Sequence, residues 1–191
     1  MNALPARPPP DLAEPPGGVL MWLIVGLELL TFAIVFVMIA LFRSGEPALF
    51  HEGQLALSKP FGLALTLLLV TSGAFAAEAV HAARASHFVR AQRLLIAALG
   101  GGALFVLLKL EDYRAHLEAG HALGTNDFWD AYYLATGFHF VHVLVGLGLL
   151  TWAARKVTRA APVETIAAVA LFWHLCDLAW FFLFPLFFAG A

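Results

Sequence analysis

The sequence has few charged residues and a single cysteine, and both scarcities exclude classes of protein. Lys, Arg, Asp and Glu make up 13% of the 191 residues, whereas a soluble domain usually has about 25%. Cys176 has no second cysteine to pair with, which excludes an intrachain disulfide. The net charge of −2 provides no strongly basic surface for nucleic acid. With 61% hydrophobic residues, the chain is predicted to be an integral membrane protein.

Five apolar segments are long enough to cross a membrane. A hydrocarbon core of about 30 Å needs about 20 helical residues, and lipid offers no partners for backbone groups, so the segments must be helical. We therefore predict an all-α, five-helix transmembrane bundle within a single domain, residues 19–191. The spans are expected at about 19–42, 61–81, 93–110, 131–152 and 166–188, and the longest loop at Glu111–Asp130. Residues 1–18 are rich in proline and are expected to form a disordered tail.

The distribution of Lys and Arg between the two sides of the membrane predicts the orientation of the bundle. The side that carries the N-terminus collects seven such residues, and the opposite side collects four: Arg43, Lys59, Lys109 and Arg114. Because cytoplasmic loops carry the excess of positive charge, the N-terminus is expected in the cytoplasm and the C-terminus in the periplasm.

Several polar side chains fall within the apolar segments. A charged group at the centre of a membrane costs roughly 2.5–3.5 kcal/mol on insertion scales, so such residues are functional hypotheses by default. His139 and His142 share one helix face, as do His174 and Asp177, because residues three apart are neighbours on a helix. Together with Glu28 they are expected near the middle of the membrane, where one buried polar network is possible.

Alternative roles for these residues stay open. The histidines could provide hydrogen bonds between helices, or they could bind haem or a metal in an independent small membrane protein. Glu28 could handle protons or be a neutral structural acid. A transporter that uses Glu28 and Asp177 as proton relays is disfavoured, because the sequence shows no internal repeat. Close helix packing is expected at Gly100–Gly102, Gly146 and Gly148.

Two motifs carry a family resemblance. The run Thr136-Gly137-Phe138-His139, followed by His142-Val143, resembles the Thr-Gly-Phe-His-Gly-Leu-His-Val signature of subunit III of the haem–copper oxidase superfamily. Trp173-His174, with Asp177 and Trp180, resembles the signature of that family's last helix. The likeness extends from about Met21 to Phe188.

The resemblance also assigns family positions to residues outside these two motifs. Glu28 falls on the family's buried carboxylate, which is known for its reactivity with carbodiimides. Ser72-Gly73 matches the second of the five shared helices, and Asp112-Tyr113 corresponds to a Glu-Tyr pair after the third. Glu164 lies where an acid often precedes the last helix.

The resemblance implies an accessory subunit without redox centres. Such a chain binds no haem or metal itself and supports the assembly, stability and sustained turnover of a catalytic subunit. Its implied partners are the haem–copper catalytic subunit I, which holds haem with copper or non-haem iron, and an electron-donor subunit. Bound phospholipid and a location in the bacterial cytoplasmic membrane are also implied.

In three respects the chain departs from the long oxidase subunits and resembles the short NorE-like proteins associated with nitric oxide reductase. The chain lacks room for the two helices that precede the shared five, and those helices form one side of a lipid cleft in the long subunits. The second-helix Trp-Ala-His-His run is replaced by Glu78-Ala79-Val80-His81, and a family Gln is replaced by Lys109.

Overall fold

The computed structural model describes residues 18–157 and 163–188, and within them the chain is helical with short connections. Six helices follow one another: α1 (Gly18–Gly45), α2 (Pro47–Ala56), α3 (Lys59–Arg84), α4 (Phe88–Glu118), α5 (Asp127–Lys156) and α6 (Val163–Phe188). All of them except α2 are long and apolar enough to cross a membrane. The prediction of five spans is confirmed, and α2 is an additional helix that was not expected. Apart from Gly18, which begins α1, the proline-rich tail lies outside the described residues.

The prediction of a loop over Glu111–Asp130 was wrong at both ends, because Glu111–Glu118 belong to α4 and Asp127–Asp130 belong to α5. Helix α4 continues to Glu118 and has 31 residues, or about 46 Å, well over the ~30 Å hydrocarbon core. Arg114 stabilises the extension through ion pairs with Glu111 at 2.9 Å and Glu118 at 3.6 Å, one helical turn away on either side. Helix α5 begins after Asn126, whose side chain accepts a hydrogen bond from the Trp129 backbone N–H.

The short helix α2 closes one end of the bundle. Pro47 occupies its first turn, where proline's missing N–H costs nothing. Gln54 is buried, and its Nε2 donates a hydrogen bond of 2.8 Å to the Leu186 carbonyl. That carbonyl belongs to the last turn of α6, where the backbone carbonyls have no N–H partner within the helix. The contact therefore ties α2 to the end of α6.

The interior of the bundle is formed by α3, α4, α5 and α6, while α1 packs at its edge. Helix α3 lies against α4 and α6, α5 lies against α4 and α6, and α1 contacts α5 and α6 in addition to α2. Trp173 on α6 is completely buried at the centre of this arrangement. Gly102 of α4 and Gly146 of α5 lie on either side of its indole ring, and a Cβ at either glycine would come within 2.7 Å of that ring.

Candidate functional site

Glu28 and His142 form a hydrogen-bonded pair between α1 and α5. His142 Nε2 lies 3.0 Å from Glu28 Oε2, and His142 Nδ1 lies 2.9 Å from the Phe138 carbonyl oxygen. The side chains are 12% and 26% exposed for His142 and Glu28 respectively. A small cavity of about 160 Å³ adjoins both of them. Both ring nitrogens of His142 therefore have a partner, and the edge helix α1 is joined to the bundle by a polar contact.

His174 and Asp177 form a second pair within α6. His174 Nδ1 lies 3.2 Å from Asp177 Oδ2. The pair packs against Gly73 of α3, where a Cβ would overlap Asp177 Oδ2. Asp177 Oδ1 is buried and has no hydrogen-bond partner within the described parts of the chain.

His139 is completely buried, and neither ring nitrogen has a hydrogen-bond partner among the described residues. Its imidazole is enclosed by the rings of Phe32, Phe105 and Trp180, with centroids 5.3–6.4 Å away. His139 therefore packs as an aromatic ring in this structure.

The five predicted polar residues are thus two hydrogen-bonded pairs and one separate histidine. The hydrogen bonds between them stay within each pair and do not link Glu28 and His142 to His174 and Asp177. Across residues 18–157 and 163–188, no group of three or more His, Cys, Asp or Glu side chains is arranged to hold a metal ion. A functional role for the five as one unit stays a prediction.

The signature tryptophans of α6 hold that helix against α3. Trp173 Nε1 donates to Ser72 Oγ at 3.1 Å, and Trp180 Nε1 donates to Thr66 Oγ1 at the same distance. Ser72 in turn donates to the Ala98 carbonyl of α4 at 2.6 Å. Buried indoles usually need such a partner, and here their partners lie on neighbouring helices.

The remaining signature residues divide between the interior and the surface. Thr136 is buried, accepts a hydrogen bond of 2.9 Å from Tyr113 OH and donates one to the Tyr132 carbonyl. Gly137 faces open space at its Cβ position. Glu164 is exposed in the first turn of α6, where a negative charge interacts favourably with the helix dipole.

The most elaborate polar cluster surrounds Lys109, which lies at the end of the predicted span 93–110 and is one of the four positive charges expected on the side opposite the N-terminus. Lys109 is completely buried within α4, and its Nζ donates to Asp112 Oδ2 at 2.8 Å and to Tyr132 OH at 2.6 Å. Tyr132 OH also donates to Asp112 Oδ2, and His116 Nε2 lies 3.3 Å from Asp112 Oδ1. The Asp112 carboxylate and the Tyr132 phenol thus contact the ammonium group, and the His116 imidazole contacts the other oxygen of that carboxylate.

Aromatic rings complete the enclosure of Lys109. Its Nζ lies 4.5 Å from the ring centroid of Tyr132, 4.6 Å from that of Tyr113 and 5.4 Å from that of Trp180. Cations at these distances over aromatic faces are attracted by the ring electrons. The spacing of Lys109 and Asp112, which makes them neighbours on one helix face, was the signal that could have indicated this pair.

Replacing Glu28 with Gln should leave the stability of the chain nearly unchanged, because an amide can still hydrogen-bond to His142 Nε2. Glu28→Leu and His142→Leu should each lower the free energy of unfolding by about 0.6–1.7 kcal/mol, the range measured for hydrogen bonds between membrane helices. Thermal unfolding in mild detergent measures this, with Leu27→Ala, at an exposed neighbour, as the control. Equal destabilisation by Gln and Leu would contradict the hydrogen-bonded role.

Comparison with known proteins gives this helical bundle a family. The family model described as "Cytochrome c oxidase subunit III" matches residues 18–190, which include all six helices. The cytochrome c oxidase subunit 3 of Corynebacterium diphtheriae is 27% identical over 163 residues, which cover 82% of this chain and 80% of that protein. The quinol oxidase subunit 3 of Bacillus subtilis is 25% identical over 167 residues, or 85% and 81%.

A third relative has a different organisation. The heme-copper oxidase subunit I+III of Aeropyrum pernix is 24% identical over 178 residues, which cover 88% of this chain and 22% of that protein. The resemblance stated from the sequence motifs is therefore confirmed at the level of the family, and the match includes the helices that carry Glu28, Lys109, His142 and Trp173. This chain belongs to the cytochrome c oxidase subunit III family.

Proposed function

We propose that the chain is the accessory, non-redox subunit of a haem–copper respiratory complex, in which it supports assembly, stability and sustained turnover of the catalytic subunit. The observation that carries this proposal is the subunit III match over residues 18–190. The structure supports it through the contacts that the signature residues make. Trp173, Trp180 and Thr136 all make hydrogen bonds that join or brace helices, which suits a protein whose task is to present a stable membrane surface.

The proposed partner is the catalytic subunit I, which would hold haem together with copper or non-haem iron and receive electrons from a donor subunit. The Aeropyrum pernix relative supports this partnership, because its name describes subunits I and III in one protein. The proposed location is the bacterial cytoplasmic membrane, with the N-terminus in the cytoplasm, as the seven-to-four distribution of Lys and Arg favours.

An apolar groove between α1 and α6 supports phospholipid as a bound component. Its volume is about 230 Å³, and it is lined mainly by aromatic and aliphatic side chains, among them Leu29, Phe32, Phe36 and Phe182. A hydrocarbon chain needs no hydrogen bonds and fits such a surface. We propose an acyl chain as the occupant of this groove.

The finer proposal, that the complex reduces nitric oxide, is supported by two departures from the oxidase pattern. These are Lys109 and the Glu78-Ala79-Val80-His81 run. Chain length does not separate the two branches, because the chain covers about four-fifths of the oxidase subunits from Corynebacterium and Bacillus. The identity of the catalytic subunit that co-purifies decides between nitric oxide and oxygen as the acceptor.

The proposal is tested by purifying the tagged chain from its native membranes in mild detergent. We expect a large haem-bearing subunit to co-purify, to be identified by mass spectrometry, and to give a reduced-minus-oxidised haem spectrum. The chain expressed alone is the control and should show no haem absorbance. Haem retained by the lone chain, or the absence of any haem-bearing partner from the native preparation, would contradict the accessory role.

A further inference from the structure

The carboxyl group of Asp177 lies deep within the apolar part of the bundle. Asp177 is 14 residues after Val163 and 11 before Phe188, or about 21 Å and about 16 Å from the two ends of α6. Its side chain is 11% exposed, and its Oδ1 atom is buried. Lipid head groups lie at the ends of a transmembrane helix, and the hydrocarbon between them provides no hydrogen-bond partners. The carboxyl group therefore depends on the chain itself for its partners.

The chain provides this carboxyl group with one hydrogen-bond partner among the described residues. His174 Nδ1 lies 3.2 Å from Asp177 Oδ2, and Asp177 Oδ1 has no partner. The carboxyl group packs against Gly73 of α3, where a Cβ would overlap Oδ2. The backbone N–H groups in the interior of a helix are already bonded to the helix's own carbonyls. The backbone of α3 at Gly73 therefore offers the carboxyl group no donor.

The helices packed against α6 bring other titratable groups to this depth, but these are engaged elsewhere. Helix α6 packs against α1, α3 and α5, and α3 has no titratable residue between Lys59 and Glu78. The groups at middle depth on α1 and α5 are Glu28 and His142, which pair with each other, and His139, which aromatic rings enclose. On α6 itself the neighbours of Asp177 are His174 and the buried thiol of Cys176.

The distance within the His174–Asp177 pair fits two uncharged partners. Hydrogen bonds between a cationic nitrogen and a carboxylate are usually about 2.7–2.9 Å long. Lys109 Nζ and Asp112 Oδ2 lie within this range at 2.8 Å, whereas His174 Nδ1 and Asp177 Oδ2 lie 3.2 Å apart. The two pairs have the same spacing of three residues along a helix, so the longer distance is a property of the partners.

The number of available partners leads to the same form of the carboxyl group. An ionised carboxylate has about four acceptor sites to satisfy, whereas a carboxylic acid needs one acceptor for its O–H. Burial away from water disfavours the ionised form, and the partner that Asp177 has is a single imidazole nitrogen. That nitrogen satisfies the O–H of a carboxylic acid and leaves only a neutral carbonyl oxygen, Oδ1, unpaired.

We propose that Asp177 is a proton-binding site at mid-membrane depth: its carboxyl group holds a proton at neutral pH, and the Oδ2–H donates to the unprotonated Nδ1 of His174. The proton of the neutral imidazole is then on Nε2, and the pair has no net charge. The His174 side chain is 44% exposed, so the imidazole separates the bound proton from the surroundings of the chain. This assignment depends on the packing of α3 against α6 and is independent of the accessory role.

Infrared spectroscopy of the full chain in detergent tests this assignment, because a carboxylic acid and a carboxylate absorb at different frequencies. Isotopic labelling of the aspartate carboxyl carbons separates their bands from those of glutamates such as Glu28. We expect one aspartate to give the band of the acid at about pH 7, where exposed aspartates are ionised, and Asp177→Asn to remove that band. Asp127→Asn, at an exposed position in the first turn of α5, is the matched control and should remove only carboxylate absorption.

The spectrum of the unmodified chain can overturn the proposal by itself, since ionisation of every aspartate at about pH 7 would exclude a bound proton. An acid band that survives Asp177→Asn would assign the proton to another aspartate and would equally contradict it.

His174→Leu provides a second measurement if Asp177→Asn does not fold. The acid band should persist in this variant and shift to a new frequency, because the O–H has lost its acceptor. An acid band that first appears on removal of His174 would show that Asp177 is ionised in the unmodified chain, and an acid band that does not shift would show that it arises elsewhere. Either result would refute the proposal.

Discussion

Lys109→Met should lower the free energy of unfolding of the chain by about 3–5 kcal/mol, the cost of leaving one member of a buried ion pair without its partner. Methionine keeps an unbranched side chain as far as Cε, so the substitution removes chiefly the ammonium group. Its removal leaves the Asp112 carboxylate, only 9% exposed, with Tyr132 and His116 as its remaining polar neighbours. The hydrogen bond to Tyr132 and the attraction to the surrounding aromatic rings are lost as well.

The measurement is the thermal or denaturant-induced unfolding of the purified chain in detergent. Arg114→Met is the matched control, because Arg114 forms ion pairs five positions further along the same helix with a side chain that is 67% exposed. Exposed ion pairs contribute about 0–1 kcal/mol, so this variant should be nearly as stable as the parent. The double variant Lys109→Met/Asp112→Leu should regain part of the loss, since no unpaired charge remains. Equal effects of Lys109→Met and Arg114→Met would disprove the importance of burial.

Gly102→Ala and Gly146→Ala should each destabilise the bundle by about 1–3 kcal/mol, the usual range for an extra methyl group in a well-packed core. The added Cβ would come within 2.5 Å of the Trp173 ring at Gly102 and 2.7 Å at Gly146. The indole cannot move away easily, because it is completely buried and its Nε1 is hydrogen-bonded to Ser72. Helices α4 and α5 would therefore have to separate from α6.

Two neighbouring glycines provide controls for helix propensity. Gly100 and Gly148 have no atom within 4 Å of a built Cβ. Alanine there should be neutral or stabilising by up to about 1 kcal/mol, because alanine is the better helix former. The quantity to compare is the unfolding temperature of the four single variants. If Gly100→Ala and Gly102→Ala had the same effect, close packing against Trp173 would not be the reason for the glycine.

The spans could be predicted from the sequence because lipid imposes a minimum length of apolar helix. The ends could not, because the helices continue beyond the apolar stretch. In α4 the polar residues Glu111, Arg114 and Glu118 pair with one another one turn apart and prolong the helix. Helix α2 has only 10 residues, and its stability comes from contacts such as that of Gln54 with the distant Leu186 carbonyl. Such contacts have no signal in the local pattern.

The contacts of the candidate site could be predicted where both residues lie on one helix, but not where they lie on different helices. Spacing alone placed His174 beside Asp177, since both lie on one turn of α6. It could not show that His142 pairs with Glu28 from α1, because that contact depends on how the helices are arranged. Lys109 lies at the end of the predicted span 93–110 and was counted only as a charge on one side of the membrane. Its burial depends on Tyr132 and Trp180, which follow much later in the chain.

The enclosure of Lys109 also affects the order in which the protein can assemble during synthesis. Asp112, on the same helix, is available to the ammonium group as soon as α4 enters the membrane. Tyr132 arrives with α5, and the rings of Trp180 and Phe188 arrive only with α6. Until α6 has left the ribosome, one side of this cation lacks its aromatic wall, so the burial of Lys109 is completed only when α6 joins the bundle.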